Sequence, residues 1–447
     1  MKEIASAIGL ELVHSIRGEG DLPSRFAVTD LAVASVGAVA SSLARLIDVT
    51  GLASRQPAAS VNRHLASLWF AQSVHPQGWE LPPLWDAIAG VYEGKDGWIR
   101  LHTNLPHHRR AAVRALGVAE DRHAVEGAIR SWAVDDLEAA IAQAGGVSAA
   151  MRSMEAWAQH PQGRAVADEP LVAWREADGG SVRDWQGTLE RPLAGLRVLD
   201  LTRVLAGPVA TRTLAGFGAD VLRVDPPDWD EPNVVPDITL GKRCCRLDLR
   251  SAEGVQTFKE LLAGADVLVH GYRPGALDGL GLGEAERREI APSLIDVSLD
   301  AYGWTGPWAG RRGFDSLVQM SCGIAHAGMA WAGRDVPTPL PVQALDHATG
   351  YLIAASVIRA LTSAIEGKGI WNARLSLART AALLMQYPQE RPGELAKQPE
   401  DGDLSADMEE TPWGPARRLK PPISIAGTPM RWDRPACELG SSAPGWP

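Results

Sequence analysis

Cysteine is scarce in this chain: four in 447 residues, two of them adjacent at Cys244 and Cys245. That excludes a disulfide framework, and neighbouring thiols cannot form a spaced CxxC metal knuckle, so no metal site is expected. Basic runs are missing too. Lys and Arg total 44 against 54 Asp and Glu, a net charge of −10. A nucleic-acid partner is therefore not expected, because binding one needs many phosphate-neutralising cations. The start, Met-Lys-Glu-Ile-Ala-Ser, has no basic stretch leading into an apolar core, and no signal peptide is expected. The best apolar run, Leu31 to Leu43, is Ala- and Ser-rich and shorter than the roughly 20 residues that span a bilayer, so no membrane partner is expected. These absences together fit a cytoplasmic location. Phenylalanine and tyrosine are rare, five each against sixteen scattered tryptophans, which are expected to pack in core and surface. With 45% hydrophobic and 22% charged residues, the chain can bury a core and form two or three domains of roughly 100–200 residues each.

Residues 196–300 carry the clearest rhythm. Short apolar runs recur at Leu196–Leu201, Asp220–Asp225, Ala265–His270 and Leu294–Leu299, separated by helically spaced stretches at Val209–Phe217, Ala252–Leu262 and Gly283–Ile290. Strands alternating with helices predict βαβ units, hence a Rossmann-like, mostly parallel sheet in an α/β fold. Residues 82–175 predict a smaller α+β domain: a strand at Gly97–Leu101, then helices through Ala111–Leu116, Ala124–Trp132 and Leu137–Ala144. Residues 176–194 are polar and Gly-marked and are taken as a linker; 195–387 form the core domain. From 388 onward the chain is expected to be a flexible linker to 412, then an irregular tail to 447 that packs on the sheet. Residues 1–81 are an Ala-rich helical segment. Within it, Thr29-Asp30 and the stretch to Leu46 resemble Leu345-Asp346 and the stretch to Leu361, and Ala59–Leu68 resembles Ala373–Ala382. Two Ala-rich helices also look alike by composition alone.

The turn after the first core strand is Thr202-Arg203-Val204-Leu205-Ala206-Gly207-Pro208. It lacks the G-x-G-x-x-G that lets a backbone approach a pyrophosphate, so NAD and FAD are not expected. Pro208 suits the first helical position. Ligands of open α/β sheets bind beyond the carboxyl ends of strands, which places 202–207, 226–230, 270–275 and 300–306 at a site.

The words Gly195–Asp200, Arg203–Pro208, Gly218–Leu222, Gly241–Arg243 with Leu247–Leu249, Tyr272–Gly275 with Leu280–Leu282, Tyr302–Pro307, Gly313–Asp315, Asp346 with Gly350, and Gly367–Gly369 follow in order over about 190 residues. In that order they resemble the family III CoA-transferases, the group of formyl-CoA and carnitine-type enzymes. Asp96–Ile99 and Ala156–Pro161 resemble that family's smaller domain, and Ile425–Pro429 its C-terminal return segment. The smaller domain normally follows the core, whereas its match here precedes it. The resemblance therefore implies a permuted order, with 1–190 a decayed first copy beginning at its catalytic-aspartate helix.

The resemblance implies transfer of CoA from an acyl-CoA thioester to a small carboxylic acid, in a homodimer and with no permanently bound cofactor; the CoA thioester is substrate. It places the nucleophile at Asp346 and CoA contacts at Val204, Leu205, Ala206, Lys242, Arg243, Tyr272, Arg273 and Tyr302. Departures are visible: Gly271 stands where the family often has Asn, and Asp300-Ala301 replaces a polar-Gly pair.

Each assignment has a plain alternative. An Asp opening an Ala-rich helix is ordinarily an N-cap, and that reading is preferred for Asp30. Lys242-Arg243 alone would read as a solvated pair, His107-His108 as an exposed helix start, and Cys322 as a structural thiol. Two other functions compete. An α-methylacyl-CoA racemase needs an acid/base pair flanking the α-carbon, but Phe314 stands where related racemases carry His, leaving His347 as the recruit. A non-catalytic CoA-binding paralogue is the other.

Overall fold

The computed structural model describes residues 2–177, 180, 185–390 and 398–447; most of the expected 176–194 linker's middle and residues 391–397 of the expected flexible segment lie outside these. The core is a seven-stranded sheet whose strands, in chain order, are β1 (Ala173–Ala177), β2 (Arg197–Leu201), β3 (Asp220–Asp225), β4 (Arg243–Arg246), β5 (Val267–His270), β6 (Ile295–Asp300) and β7 (Ile370–Ser376). Their spatial order is β4-β3-β2-β5-β6-β7-β1, with every pair parallel except β7 with β1. The chain winds outward from β2 one way through β3 and β4, then from β5 the other way. The crevice outside the carboxyl ends of β2 and β5 is therefore the switch point at which open α/β sheets take ligands.

Three helices matter most for the site: α1 (Val28–Val49), α2 (Ala206–Gly216) and α3 (Ala344–Ile365). α2 begins at Ala206, so Pro208 is its third residue. α3 packs against both α1 and α2. α1 and α3 are each 22 residues long and apolar enough to cross a membrane by length and composition. The run read as too short in the sequence is thus extended at both ends, and nearly all of its residues are buried against the protein.

α1 and α3 are also matched in detail. Each begins three residues before its aspartate's successor, after N-caps of near-identical backbone: Ala27 at φ −72°, ψ 64° and Gln343 at φ −76°, ψ 64°. Ala59–Asn62 runs directly into helix Arg63–Trp69, as β7 runs directly into helix Leu377–Met385; Asn62 and Ser376 cap these helices by accepting the N–H of Leu65 and Arg379. Ala59–Asn62 has a parallel neighbour, Ser15–Arg17, and an antiparallel one, Ile423–Ile425. β7 likewise has β6 parallel and β1 antiparallel.

Strands Gly90–Glu93, Trp98–Leu101 and Ser148–Ala150 form a small antiparallel sheet covered by helices Pro106–Leu116, Arg122–Ile129 and Val134–Gln143. Its own core includes Tyr92, Ile99, Leu101, Ile129 and Leu137. It reaches the large sheet's domain through Arg152, whose N–H donates to Met320 O at 3.0 Å. Two expectations fail in the C-terminal stretch. The tail from 413, taken as irregular, carries strands Gly414–Leu419 and Ile423–Ile425. Leu404–Thr411, taken as flexible linker, is a strand that pairs with Gly414–Leu419, which also pairs with Val74–Pro76; an exposed hairpin needs only one apolar face, so its polarity concealed it.

α2 and α3 meet at Gly350. A Cβ there would sit against the Ala206 carbonyl and 2.9 Å from Val209 Cβ. Gly350→Ala is expected to cost about 1–3 kcal/mol by overpacking, read as a lower denaturant midpoint with an unchanged m-value.

Candidate active site

The loop after β2 is held under strain. Val204 has φ +65°, the one non-glycine residue with positive φ among the described residues, and a β-branched side chain disfavours that region. Its N–H donates to Glu231 Oε2 at 3.0 Å. Glu231 is in turn paired with Arg223, which also binds Asp225 through Nε at 2.8 Å. Arg223 is fully buried, so a rigid ion network under the sheet end fixes the loop. Gly207 is required as well, because a Cβ there would collide with the Thr202 side chain.

Asp346 is the third residue of α3 and 7% exposed. Behind it lies Asp315, fully buried at the start of helix Asp315–Ser321. One Asp315 oxygen, Oδ2, accepts the backbone N–H of Leu345 at 2.8 Å and of Asp346 at 2.9 Å. The other accepts from Gln319 Nε2. Asp315 thus caps a helix to which it does not belong, satisfying two of its orphan donors. Burial raises the Asp315 carboxyl to about 6. Burial, and secondarily the charge of Asp315, raises Asp346 well above the ordinary carboxyl range.

Two cavities meet at Asp346. One, of about 380 Å³, is lined by Arg203, Tyr272, Arg273, Arg312, His108 and Ala206 among others. The second, of about 400 Å³, lies between the small domain and the core, with Trp85, His102, Leu205 and Val234 in its wall. Val204, Leu105, Phe314 and Asp346 line both. In the first, the Arg203 guanidinium lies between two aromatic rings, 4.3 Å from the Trp229 centroid and 5.3 Å from that of Tyr272, and its Nη2 donates to Tyr272 Oη at 3.1 Å. Arg273 and Arg312 make no ion pair with a carboxylate among the described residues. Burial and the neighbouring charge of Arg273 lower the Arg312 pKa. Two neighbouring cations with no carboxylate ion pair are suited to a polyanion such as a phosphate ester.

Of the residues expected at the site, Val204, Leu205, Ala206, Tyr272, Arg273 and Asp346 are brought together. Three are not. Lys242 is 1% exposed, and its Nζ donates to Asp200 Oδ2 at 2.9 Å and Pro208 O at 3.0 Å; a solvated ligand cannot reach it. Arg243, on edge strand β4, donates to both Asp220 oxygens and to Gly445 O. Tyr302 is buried behind the cavity wall, its hydroxyl 3.1 Å from Ser321 Oγ. The basic pair holds the fold, and the cations that face the cavity lie elsewhere.

Other readings change too. Asp30 is not an N-cap but the third residue of α1, half-exposed, with Arg63 Nη1 donating to it at 2.6 Å. His107-His108 does open a helix, Pro106–Leu116, with His107 exposed, but both line the first cavity, and His108 is buried with neither ring nitrogen hydrogen-bonded. His347 is buried and stacked on Phe70 at 5.3 Å, and it lines neither cavity, which removes it as a proton donor there. Arg312 was legible as half of a tandem arginine before Gly313-Phe-Asp315. No local signal marks His102, which stacks on Phe314 at 3.9 Å. Asp300, marked in the sequence by its place after a strand and its departure from the family pattern, lies in the cavity wall, where burial raises it to about 8.

Residues 193–436, more than half of the chain, match the model of CoA-transferase family III, and the chain belongs to that family. It is 36% identical over 195 residues to the acetyl-coenzyme A transferase nodX of Hypoxylon pulicicidum, covering 42% of this chain and 32% of that protein. It is 35% identical over 210 residues to the succinyl-CoA:glutarate CoA-transferase of Mus musculus, covering 44% and 48%. The matches thus span less than half the length of either relative. A solved CAIB/BAIF family protein from Brucella suis superposes at a TM-score of 0.38 and 26% identity, over 51% of this chain and 65% of that one.

Two outcomes follow for stability. Lys242→Ala leaves Asp200 charged and buried, and is expected to cost about 3–5 kcal/mol in chemical denaturation, whatever its effect on ligands. Asp346→Asn should instead stabilise. The folded carboxyl is held protonated where the unfolded chain ionises, so it costs stability as pH rises above about 3.9. The variant's gain should be absent below that pH and larger at pH 8 than at pH 5 in parallel denaturant titrations.

Proposed function

We propose that this chain transfers CoA between an acyl-CoA thioester and a carboxylic acid, with Asp346 as the nucleophile. The observation that carries the reading is the placement of Asp346 at the junction of a cationic cavity and a largely apolar one. The cationic cavity takes the phosphates and adenine of CoA, with Arg273 and Arg312 as counter-ions and Tyr272 as a stacking face. The loop 204–206 takes the chain of CoA towards Asp346.

The steps balance without any further reagent. The Asp346 carboxylate attacks the thioester carbonyl, the C–S bond breaks, and CoA leaves as thiolate with an acyl-aspartyl anhydride formed. The thiolate attacks the aspartyl carbonyl, expelling the donor acid and leaving an aspartyl-CoA thioester. The acceptor carboxylate attacks that thioester, forming a new anhydride and freeing the thiolate again. Attack of the thiolate on the new acyl carbonyl yields the product thioester and regenerates Asp346. Each intermediate divides one exchange into two easier steps. A carboxylate raised in pKa by burial is more basic and hence a better nucleophile, provided that it is ionised when the substrate is bound.

The racemase reading has less to support it. Phe314 carries no transferable proton, and the nearby His102 is buried, its pKa lowered to about 3 by burial and by the charge of Arg100. The paired geometry of α1 and α3 supports a proposal on ancestry: residues 1–81 derive from a second copy of the catalytic-aspartate region, retaining its helix and strand but with Asp30 neutralised by Arg63.

Intact-mass analysis with an acyl-CoA alone should show a CoA adduct on a peptide containing Asp346, absent in Asp346→Ala. No adduct on that peptide, with transfer still occurring, would sink the assignment. The transfer rate should rise with pH as Asp346 ionises. Asp315→Asn keeps an acceptor for the α3 N–H groups and removes the charge, so it should move that rise to lower pH; an unmoved profile would deny Asp315 this influence.

A further inference from the structure

The second cavity has a chemistry of its own. Its wall combines Leu84, Trp85, Leu105, Val234 and Phe314 with a few polar groups, and includes neither lysine nor arginine. The polar groups are largely committed. Asp86 Oδ1 accepts the N–H of Ile88 and Ala89 at 2.8 Å and the Thr103 hydroxyl at 3.0 Å. Glu231 is held by Arg223 and Val204 N–H. Asn104 and Asn233 both donate through Nδ2 to Leu84 O, at 2.7 and 2.8 Å. The imidazole of His102 is sealed between Trp85 and Phe314, 6% exposed. Two cations stand behind this wall without being part of the lining: Arg223, which is paired with Glu231, and Arg100, whose guanidinium lies 4.5 Å from the Trp85 ring centroid. What free charge the lining has is negative, from Asp86 and Asp230, since Glu231 is paired with Arg223 and Asp346 is the reacting group itself.

We propose that this cavity selects the acyl group, and that the acids exchanged are monocarboxylic acids with an apolar alkyl or aryl tail, to the exclusion of dicarboxylic acids. The inference rests on the CoA-transfer reading above and specifies its substrate class. An apolar tail removes its surface from water against Trp85, Leu84 and Val234, a favourable transfer. A dicarboxylate would carry its second charge into a wall that has no lysine or arginine and includes Asp86 and Asp230, a burial that is costly unless the charge is paired. The relatives named for succinyl-CoA and glutarate therefore do not set the substrate for this chain.

The test is equilibrium binding to full-length Asp346→Asn, which cannot turn over, of CoA, hexanoyl-CoA, phenylacetyl-CoA and succinyl-CoA. Because the CoA portion is common, the affinity ratios report the acyl cavity alone. Hexanoyl-CoA or phenylacetyl-CoA is expected to bind tighter than succinyl-CoA by roughly tenfold or more. Leu84 is 46% exposed at the cavity's edge, so Leu84→Arg is an insertion of a cation that the fold tolerates. In that background the ratio should move towards succinyl-CoA. Equal affinities for all acyl groups, a preference for succinyl-CoA, or a ratio unmoved by Leu84→Arg would each overturn the substrate class while CoA binding itself persists. Failure of every CoA species to bind, CoA included, would overturn the transfer reading and this inference with it.

Discussion

The site depends on one buried carboxylate. Asp315 Oδ2 accepts the N–H groups of Leu345 and Asp346 and so fixes the first turn of a long helix from outside it. A helix start with no side-chain cap of its own, as here, would otherwise leave these donors unsatisfied in the interior, at a cost comparable to a lost hydrogen bond each. The same contact places a negative charge behind Asp346. This interaction fixes the position of the reactive group, and the charge of Asp315 adds to burial in raising its carboxyl; the strained Val204 loop lines both cavities beside it.

Charge is used in two ways in this molecule, and burial separates them. Below the sheet ends, Arg223, Lys242 and Asp200 are sealed in a network that defines the loop after β2. Burial alone would raise the Asp200 carboxyl, but the charges of Lys242 and Arg223 hold it below its ordinary value. Around the cavity, Arg273 and Arg312 make no ion pair among the described residues. The first group has its partners inside the fold; the second is left to find one in a ligand.

The comparison of α1 with α3 shows how little separates a reactive aspartate from an inert one. Both occupy the third position of a 22-residue helix after the same cap geometry. Asp346 is buried with an acid behind it, whereas Asp30 is half-exposed and bound by Arg63. The helix supplies the position, and the neighbours supply the chemistry.

The amino-acid sequence by itself determined the α/β core, because strand and helix periodicities between 196 and 300 are local properties. Strands Arg197–Leu201, Asp220–Asp225, Val267–His270 and Ile295–Asp300 lie where the apolar runs place them. The ordered words around Val204, Tyr272 and Asp346 were legible for the same reason, since a loop at a strand end carries its function in consecutive residues. Which cations serve the fold and which face a ligand was decided only in three dimensions. Lys242 and Arg243 are adjacent to matched glycines but meet Asp200 and Asp220 from strands distant in sequence, and nothing at 242–243 announces those partners. The capping of Asp346 by Asp315, 31 residues away, and the apolar wall that joins Trp85 to Val234 across two domains exist only after the chain has folded. Burial, which sets the charge state of Asp346, is a property of the whole tertiary structure and of no segment within it.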